Sequence, residues 1–481
     1  MKQRDKKYIL ANINQKSIRE LSSELHLKEK VIKKFLRKHE LLNKQSDIKK
    51  PQGIAKAKSR KLLQTILFII LLLLALWIGI ALRLSNLDNV IARSPDEGVY
   101  AAQASVIAQN GTGAIRELTR EYNADKRWWL YPHPLRVGYL LPLAAVMRIT
   151  HNTDIKLGAY ISTFFSIMTL LLIIVVGRRF FNQWITLYAL LFISVSPMSL
   201  AIARRNWQDA MLGFIGFFLI YLCCQITLNS RKIIWYILFV ISGSYCLLIK
   251  LIGAPVYLLS IAWILWLLFV NQKAYLKGVV FMASVAIGAG ISIAYLSYLA
   301  GSPSAVIQSV RHMLQTGLAS QYRLEFCTGK WYEFFELLWV VNAVNTILCL
   351  IGIAGMFLSW KTKQKIFGLS IQENRRVIFG IIFFMLIFMS ILAFTFNLRH
   401  ISVLHAPFYL LGGLGLWYII SLANAKLQKR HFSFVITGML VAIIFVAVKD
   451  YQNFQKIIVD SGIKDLSIGL IRWSLAGGVV Q

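Results

Sequence analysis

From Leu62 to Leu82 the chain reads LLQTILFIILLLLALWIGIAL, 21 residues without a single charge. A helix of that length matches the ~30 Å hydrocarbon core of a bilayer. A soluble domain has no place for it, because a surface helix must keep one face wet. Ten further apolar runs follow, at 157–177, 183–202, 209–228, 233–249, 254–270, 278–299, 336–358, 377–396, 403–421 and 432–448. The expected fold is all-α: a polytopic membrane protein with about eleven transmembrane helices. Composition agrees, since 57% of the 481 residues are hydrophobic and only 15% are charged, against roughly 25% in a soluble domain. The Gly412-Gly413-Leu414-Gly415 run lacks a preceding strand and reads as helix packing, not as a phosphate loop.

A formal charge of +32 on so apolar a chain needs a source. Nineteen Lys and Arg against six Asp and Glu lie in residues 1–61. This segment has no signal-peptide core and is expected in the cytoplasm. The run Leu135–Ile149 is 15 residues long and contains Arg136 and Arg148. It is short for a span and is read as a re-entrant or interfacial helix. Everything downstream depends on that reading. If the run does not cross, 14 basic residues fall in inner loops: Arg178, Arg179, Arg231, Lys232, Lys273, Lys277, Lys361, Lys363, Lys365, Arg375, Arg376, Lys426, Lys429 and Arg430. If it does cross, all of them face outward, against the positive-inside rule. The expected organisation is a cytoplasmic segment at 1–61 and a membrane domain at 62–481. The membrane domain has outer loops at 83–156 and 300–335 and an outer tail at 450–481, and interfacial helices lie in the long first loop. The protein is then a multi-pass protein of the cell membrane. Arg204, Arg205, Lys250 and Arg399 remain in short outer loops, and such exceptions mark functional positions.

Residues 16–38 read KSIRELSSELHLKEKVIKKFLRK, two short amphipathic helices with a turn at 26–28. The pattern is helix-turn-helix-like, although a basic hairpin on anionic lipid or a partner-docking element fits as well, and a nucleic-acid partner is disfavoured. Residues 44–61 form a polar linker with a juxtamembrane basic cluster. The five cysteines (Cys223, Cys224, Cys246, Cys327 and Cys349) show no CxxC or metal spacing and read as buried apolar residues.

The first outer loop opens on Ser94-Pro95-Asp96-Glu97, where Pro95 fits the first turn of a helix and puts two carboxylates at its N-terminus. It continues through Trp128-Trp129-Leu130-Tyr131-Pro132-His133-Pro134-Leu135 into the short apolar helix, a stiff aromatic surface suited to an amphiphilic ligand. Further on come Ala203-Arg204-Arg205-Asn206-Trp207-Gln208-Asp209-Ala210, Leu247-Leu248-Ile249-Lys250-Leu251-Ile252-Gly253-Ala254-Pro255, and Arg399-His400 with Pro407. In order, spacing and shared membrane face, these segments over roughly 62–420 resemble the GT-C glycosyltransferases. The relatives in view are the protein O-mannosyltransferases and the aminoarabinose transferases that modify lipid A. His133 stands where the family usually has the first of two prolines, and His400 where it has tyrosine.

The resemblance implies a GT-C-like fold and a sugar donor linked to polyprenyl phosphate. It also implies an inverting transfer at the outer face, with Asp96 as general base. The acceptor is a lipid, glycan or protein, and the other partner is the bilayer itself. The residues fit that chemistry. A lipid phosphate at the interface calls for Lys or Arg, which Arg204, Arg205, Lys250 and Arg399 supply. Glu97, His133, Asp209 and His400 complete the candidate substrate-binding set. Simpler roles stand beside these: Glu97 as a helix cap, Asp209 paired with Arg205, Lys250 snorkelling, Arg399 as a satisfied interfacial residue, and both histidines as local hydrogen-bond partners. No cofactor and no metal are expected, although Asp96, Glu97 and Asp209 are the acids able to gather around an ion. The 300–335 loop, with Arg311, His312, Arg323, Glu325, Lys330 and Trp331, is expected to cover the site. The alternative is a transporter or flippase for an anionic lipid-linked sugar, which calls for inverted repeats that the chain does not display. A membrane-anchored DNA-binding regulator leaves ten spans unexplained.

Overall fold

The computed structural model describes residues 3–12, 18–38, 52–85, 87, 94–330, 332–362, 374–392, 397–426, 429–460 and 462–476. Residues 39–51 and the loop residues Trp331, Lys363, Lys365 and Glu373 lie outside the described residues, and the rest of the expected linker at 44–61, from Gln52 on, is helical and continuous with the first apolar run. The chain forms two compact units, Met1–Leu71 and Leu72–Gln481.

The first unit contains helices α1 (Gln3–Asn12), α2 (Ile18–Glu24) and α3 (Glu29–Lys38). Ile9, Leu21, Ile32 and Leu36 are fully buried in one cluster, flanked by Ile18, Leu25, Leu27 and Phe35. The α2–α3 turn is built from hydrogen bonds that close a helix C-terminus: Leu27 N–H donates to the Ser22 carbonyl at 3.1 Å and His26 N–H to that of Ser23 at 3.4 Å. His26 takes the left-handed conformation (φ +49°) that this turn requires.

The long helix α4 (Gln52–Leu84) carries the charge-free run. It is followed by α5 (Pro95–Asn110), α6 (Ala114–Ala124), a 3-10 turn at Lys126–Leu130, and α7 (Val137–Thr150). Then come α8 (Lys156–Phe180), α9 (Gln183–Val195), α10 (Pro197–Ala203), α11 (Asp209–Leu228), α12 (Ile233–Ile249), α13 (Gly253–Leu265, continued to Asn271) and α14 (Tyr275–Ala300). The remainder is α15 (Pro303–Ala319), α16 (Gln321–Phe326), α17 (Glu333–Thr362), α18 (Arg375–Ile391), a 3-10 segment at Leu398–Leu404, α19 (His405–Lys426), α20 (Lys429–Phe454) and α21 (Ile468–Leu475). Among the described residues there is no strand, only one antiparallel bridge between Asn397 and Ser467.

The fold is all-α and polytopic, as the apolar runs predict. Each of the eleven runs is helical over its described residues, with a break at Ser196, and residues 393–396 lie outside the described residues. Among the described residues seven helices are long and apolar enough to cross a bilayer, by length and composition, and α9 with α10, bent by 60°, makes an eighth if the pair is one span. The α12 and α18 helices have 17 residues each. The glycine run in α19 does serve helix packing: a Cβ on Gly415 would stand 1.9 Å from the Leu348 carbonyl of α17. All five cysteines are free and buried.

The α9–α10 break follows from Pro197, whose missing N–H leaves the Ile193 carbonyl without its helical donor. Arg83, at the end of α4 and fully buried, takes over. Its guanidinium donates to the carbonyls of Gly79 (2.9 Å), Ile193 (3.1 Å) and Ser194 (3.2 Å) and to the hydroxyls of Ser166 and Ser199 (2.7 Å each). The bend so fixed aims α10 into the Arg204–Gln208 connection.

Candidate functional site

Helix α5 begins as its sequence prescribes. Ser94 stands at its N-cap, Pro95 in its first turn, and the Glu97 carboxylate reaches back to accept the Ser94 N–H at 2.9 Å. The same carboxylate accepts from Arg205 Nε at 2.8 Å and from the Asn206 backbone N–H at 3.0 Å, while the Asn206 side-chain amide donates to the Glu97 carbonyl at 2.7 Å. Glu97 is fully buried, and its ion pair with Arg205 closes to 2.7 Å. Tyr139 of α7 donates to Asn206 at 2.6 Å. At Gly158 of α8 a Cβ would lie 1.7 Å from the Asn206 amide oxygen, so only glycine admits this contact.

Asp96, one residue earlier, points elsewhere. Its Oδ2 accepts from Arg399 at 3.1 Å, and the other side of that guanidinium faces Asp465 Oδ1 at 3.3 Å. The Arg399 and Arg205 guanidinium groups also stack on the buried Trp207 ring, at 5.2 and 4.7 Å. Asp465 comes from the segment after α20. It is fixed there by Asn397 (2.8 Å) and Tyr322 (2.9 Å), by the Leu398 N–H to Leu466 carbonyl bond (3.0 Å), and by the Asn397–Ser467 bridge. Arg205 also donates to the Lys464 carbonyl at 3.2 Å.

Asp209, in the first turn of α11, pairs with Lys250 at 2.7 Å. Lys250 lies in the α12–α13 connection. Burial pushes its ammonium down to about 8, opposed by Asp209 and assisted by the neighbouring Arg399 and Arg136 charges. Arg136 completes the cluster. It bonds the Tyr100 hydroxyl, and with the Gln208 amide turned so that its oxygen faces donors, Gln208 accepts from Arg136 at 2.6 Å and from Tyr100 at 3.1 Å.

Of the nine residues predicted for the site, Asp96, Glu97, Arg205, Asp209, Lys250 and Arg399 form this cluster. Asp209 meets Lys250 rather than Arg205, the partner that helical spacing offered. Arg204 turns aside, with its guanidinium 5.7 Å from the Phe454 ring. His133 is buried against Tyr122, and burial followed by the Arg136 charge pushes it down to about 3, so it is neutral. His400 is half-buried next to Arg399 in the 3-10 segment. The 300–335 loop does reach this surface: His312 stacks on Trp129 at 3.6 Å, and Tyr322 touches Asp465.

Sequence reasoning did not assign Arg136, Tyr100, Trp207 or Asp465 to the site. Arg136 broke an apolar run and was a visible signal. Asp465 carried none, because only the return of the chain after the last span brings it in.

Among the described residues no three Asp, Glu, His or Cys side chains gather as metal ligands. Each carboxylate of the cluster faces a cation, and the exposures differ sharply. Side-chain exposure is 0% for Glu97, 2% for Asp209, 8% for Asp465 and 22% for Asp96.

A comparison with known protein families yields no match, and one with curated proteins yields none. Among solved structures, the chain is similar to the oligosaccharyltransferase of Archaeoglobus fulgidus in its apo form. That match has 14% identity and a TM-score of 0.49, over 80% of this chain and 56% of that one. It is also similar to ArnT from Cupriavidus metallidurans in the apo state (13% identity, TM-score 0.44, 86% of this chain and 77% of that one). The same enzyme bound to undecaprenyl phosphate matches at 14% identity and a TM-score of 0.47, over 86% and 78%. Both are glycosyltransferases of the GT-C type, the group that the sequence motifs resemble.

Proposed function

We propose that this chain is an inverting glycosyltransferase, which moves a sugar from a polyprenyl-phosphate donor to an acceptor at the outer face of the cell membrane. Asp96 is the base. The observation that carries this reading is the contrast within the cluster: three carboxylates are sealed by protein donors, and Asp96 alone keeps an open edge beside a cation. In the reaction an acceptor oxygen or nitrogen forms a bond to the anomeric carbon as the carbon–oxygen bond to phosphate breaks. The acceptor proton passes to Asp96. The charge arriving on the phosphate is met by Arg399, with Lys250 and Arg136 behind it. Glu97 holds Arg205 and Asn206 in place, and Asp465 holds Arg399 from the side opposite Asp96.

The placement of these groups supports the topology as well. Glu97 touches Arg205 and Asn206, so helix α5 and the α10–α11 connection share one side of the membrane. Two crossings, α8 and bent α9–α10, separate them if α7 does not cross. A crossing by α7 puts them on opposite sides. The basic inner loops then orient this shared side outward.

The test is Asp96→Asn in purified protein supplied with its co-purified lipid-linked sugar, identified by mass spectrometry. Sugar transfer falls by about 10²–10⁴-fold while donor binding persists. Full turnover of the variant refutes the assignment. Donor binding without any transfer by the parent protein favours a lipid-sugar transporter instead.

A further inference from the structure

The three-helix unit at the N-terminus plays no part in the chemistry above. Its fold is self-contained: one residue of α1, one of α2 and two of α3 make a fully buried core, and Tyr8 of α1 donates to Glu24 of α2 at 3.0 Å. Helices α2 and α3 are joined by four residues, Leu25–Lys28, in a turn held by backbone hydrogen bonds. Residues 3–38 hold eleven Lys and Arg against four Asp and Glu. Lys30, Lys33 and Lys34 are exposed on the side of α3 away from Ile32 and Leu36. The acids lie on α2, in the first turn of α1, and at Glu29, which begins α3 and pairs with Lys33 at 3.5 Å.

We propose that this unit binds duplex DNA, with the lysine face of α3 laid in the major groove against the phosphates. A helix is about 10–12 Å across with its side chains and fits a B-form major groove about 12 Å wide. The A-form groove of RNA is too narrow to admit it. Among the described side chains of this face the exposed cations are lysines, point charges that meet phosphates and not base edges, so binding is independent of sequence and driven by counterion release. A lipid surface suits the unit less well. A helix that docks on a bilayer keeps an apolar stripe free for it, whereas here the stripes of α2 and α3 are consumed by their own core. Val31, 40% exposed, is the one large apolar residue left open on α3.

The experiment uses the full chain in nanodiscs of zwitterionic phosphatidylcholine, titrated with a fluorescent 20-base-pair duplex of arbitrary sequence. A parallel titration uses phosphatidylserine vesicles. Parent protein binds the duplex, with an affinity that falls steeply with salt. Replacing Lys30, Lys33 and Lys34 together by Ala weakens binding more than about tenfold and lowers the salt slope by about 2.7, three released counterions at 0.9 each. The triple Lys→Arg variant retains binding, which separates charge from folding, and the Ala variant retains sugar transfer. Absence of duplex binding at low salt overturns the proposal. So does binding that the Ala variant leaves intact, or a loss confined to the vesicle titration, which assigns the face to anionic lipid.

Discussion

Replacing Glu97 by Gln isolates the contact that joins α5 to the α10–α11 connection. The carboxylate accepts three N–H groups, from Ser94 at 2.9 Å, Arg205 at 2.8 Å and Asn206 at 3.0 Å, and it is fully buried. Glutamine fills the same space but offers one carbonyl oxygen, and its NH2 group faces donors. One N–H is therefore orphaned, and Arg205, 6% exposed, becomes a buried charge without a carboxylate. Breaking a buried ion pair from one side costs about 3–5 kcal/mol. Removing both partners costs less, because no lone charge remains. Glu97→Gln is thus expected to melt well below the parent in detergent, followed by tryptophan emission, and to lose sugar transfer. The Glu97→Gln/Arg205→Met double variant recovers at least about 1 kcal/mol of that loss. A single variant as stable as the parent, or a double variant as poor as the sum of the singles, refutes a buried, mutually dependent pair.

Three further outcomes follow from the geometry. Burial holds Lys250 at about 8, below its ordinary 10.5, so the folded protein sheds this charge as pH rises through about 8. Donor binding accordingly weakens above pH 8, and Lys250→Arg removes that limb. The unfolded chain binds the extra proton between about 8 and 10.5, so stability rises over the same window and the loss of binding is not unfolding. Arg83→Met orphans the Ile193 and Ser194 carbonyls at about 1–2 kcal/mol each. The expected result is lower thermal stability and reduced transfer, with Arg83→Lys intermediate. Asp465→Asn leaves Arg399 facing Asp96 alone, which makes Asp96 a weaker base. The rate constant kcat falls by roughly tenfold while donor affinity holds or tightens, and an unchanged kcat removes Asp465 from the mechanism.

The helical segments were legible because hydropathy reports on each stretch of chain alone. A charge-free 21-residue run admits one fold in a membrane, and Pro95 with Glu97 announces a helix start from four consecutive residues. The breakers of the charge pattern, Arg204, Arg205, Lys250 and Arg399, were equally visible, because a cation in a short outer loop violates a rule with few exceptions. Pairing was not legible. Spacing offers Arg205 to Asp209, but α5 brings the stronger claimant, Glu97, and frees Asp209 for Lys250. Arg83 closed an apolar run like any flanking cation, and only the break at Pro197 shows why it is buried. Asp465 sits in a polar tail with no local pattern, and its role exists only in three dimensions.

In the proposed site, two carboxylates far apart in the chain close on one cation. Asp96 follows α4 and Asp465 follows α20, and the two meet across Arg399. Synthesis proceeds from one to the other, and the spans enter the bilayer in turn. Until the residues around Ser467 emerge and pair with Asn397, Arg399 has one carboxylate neighbour rather than two. A chain stalled or cut before Gly462 carries Asp96 and Arg399 but lacks Asp465. If the proposed mechanism holds, such a shortened chain does not turn over its donor.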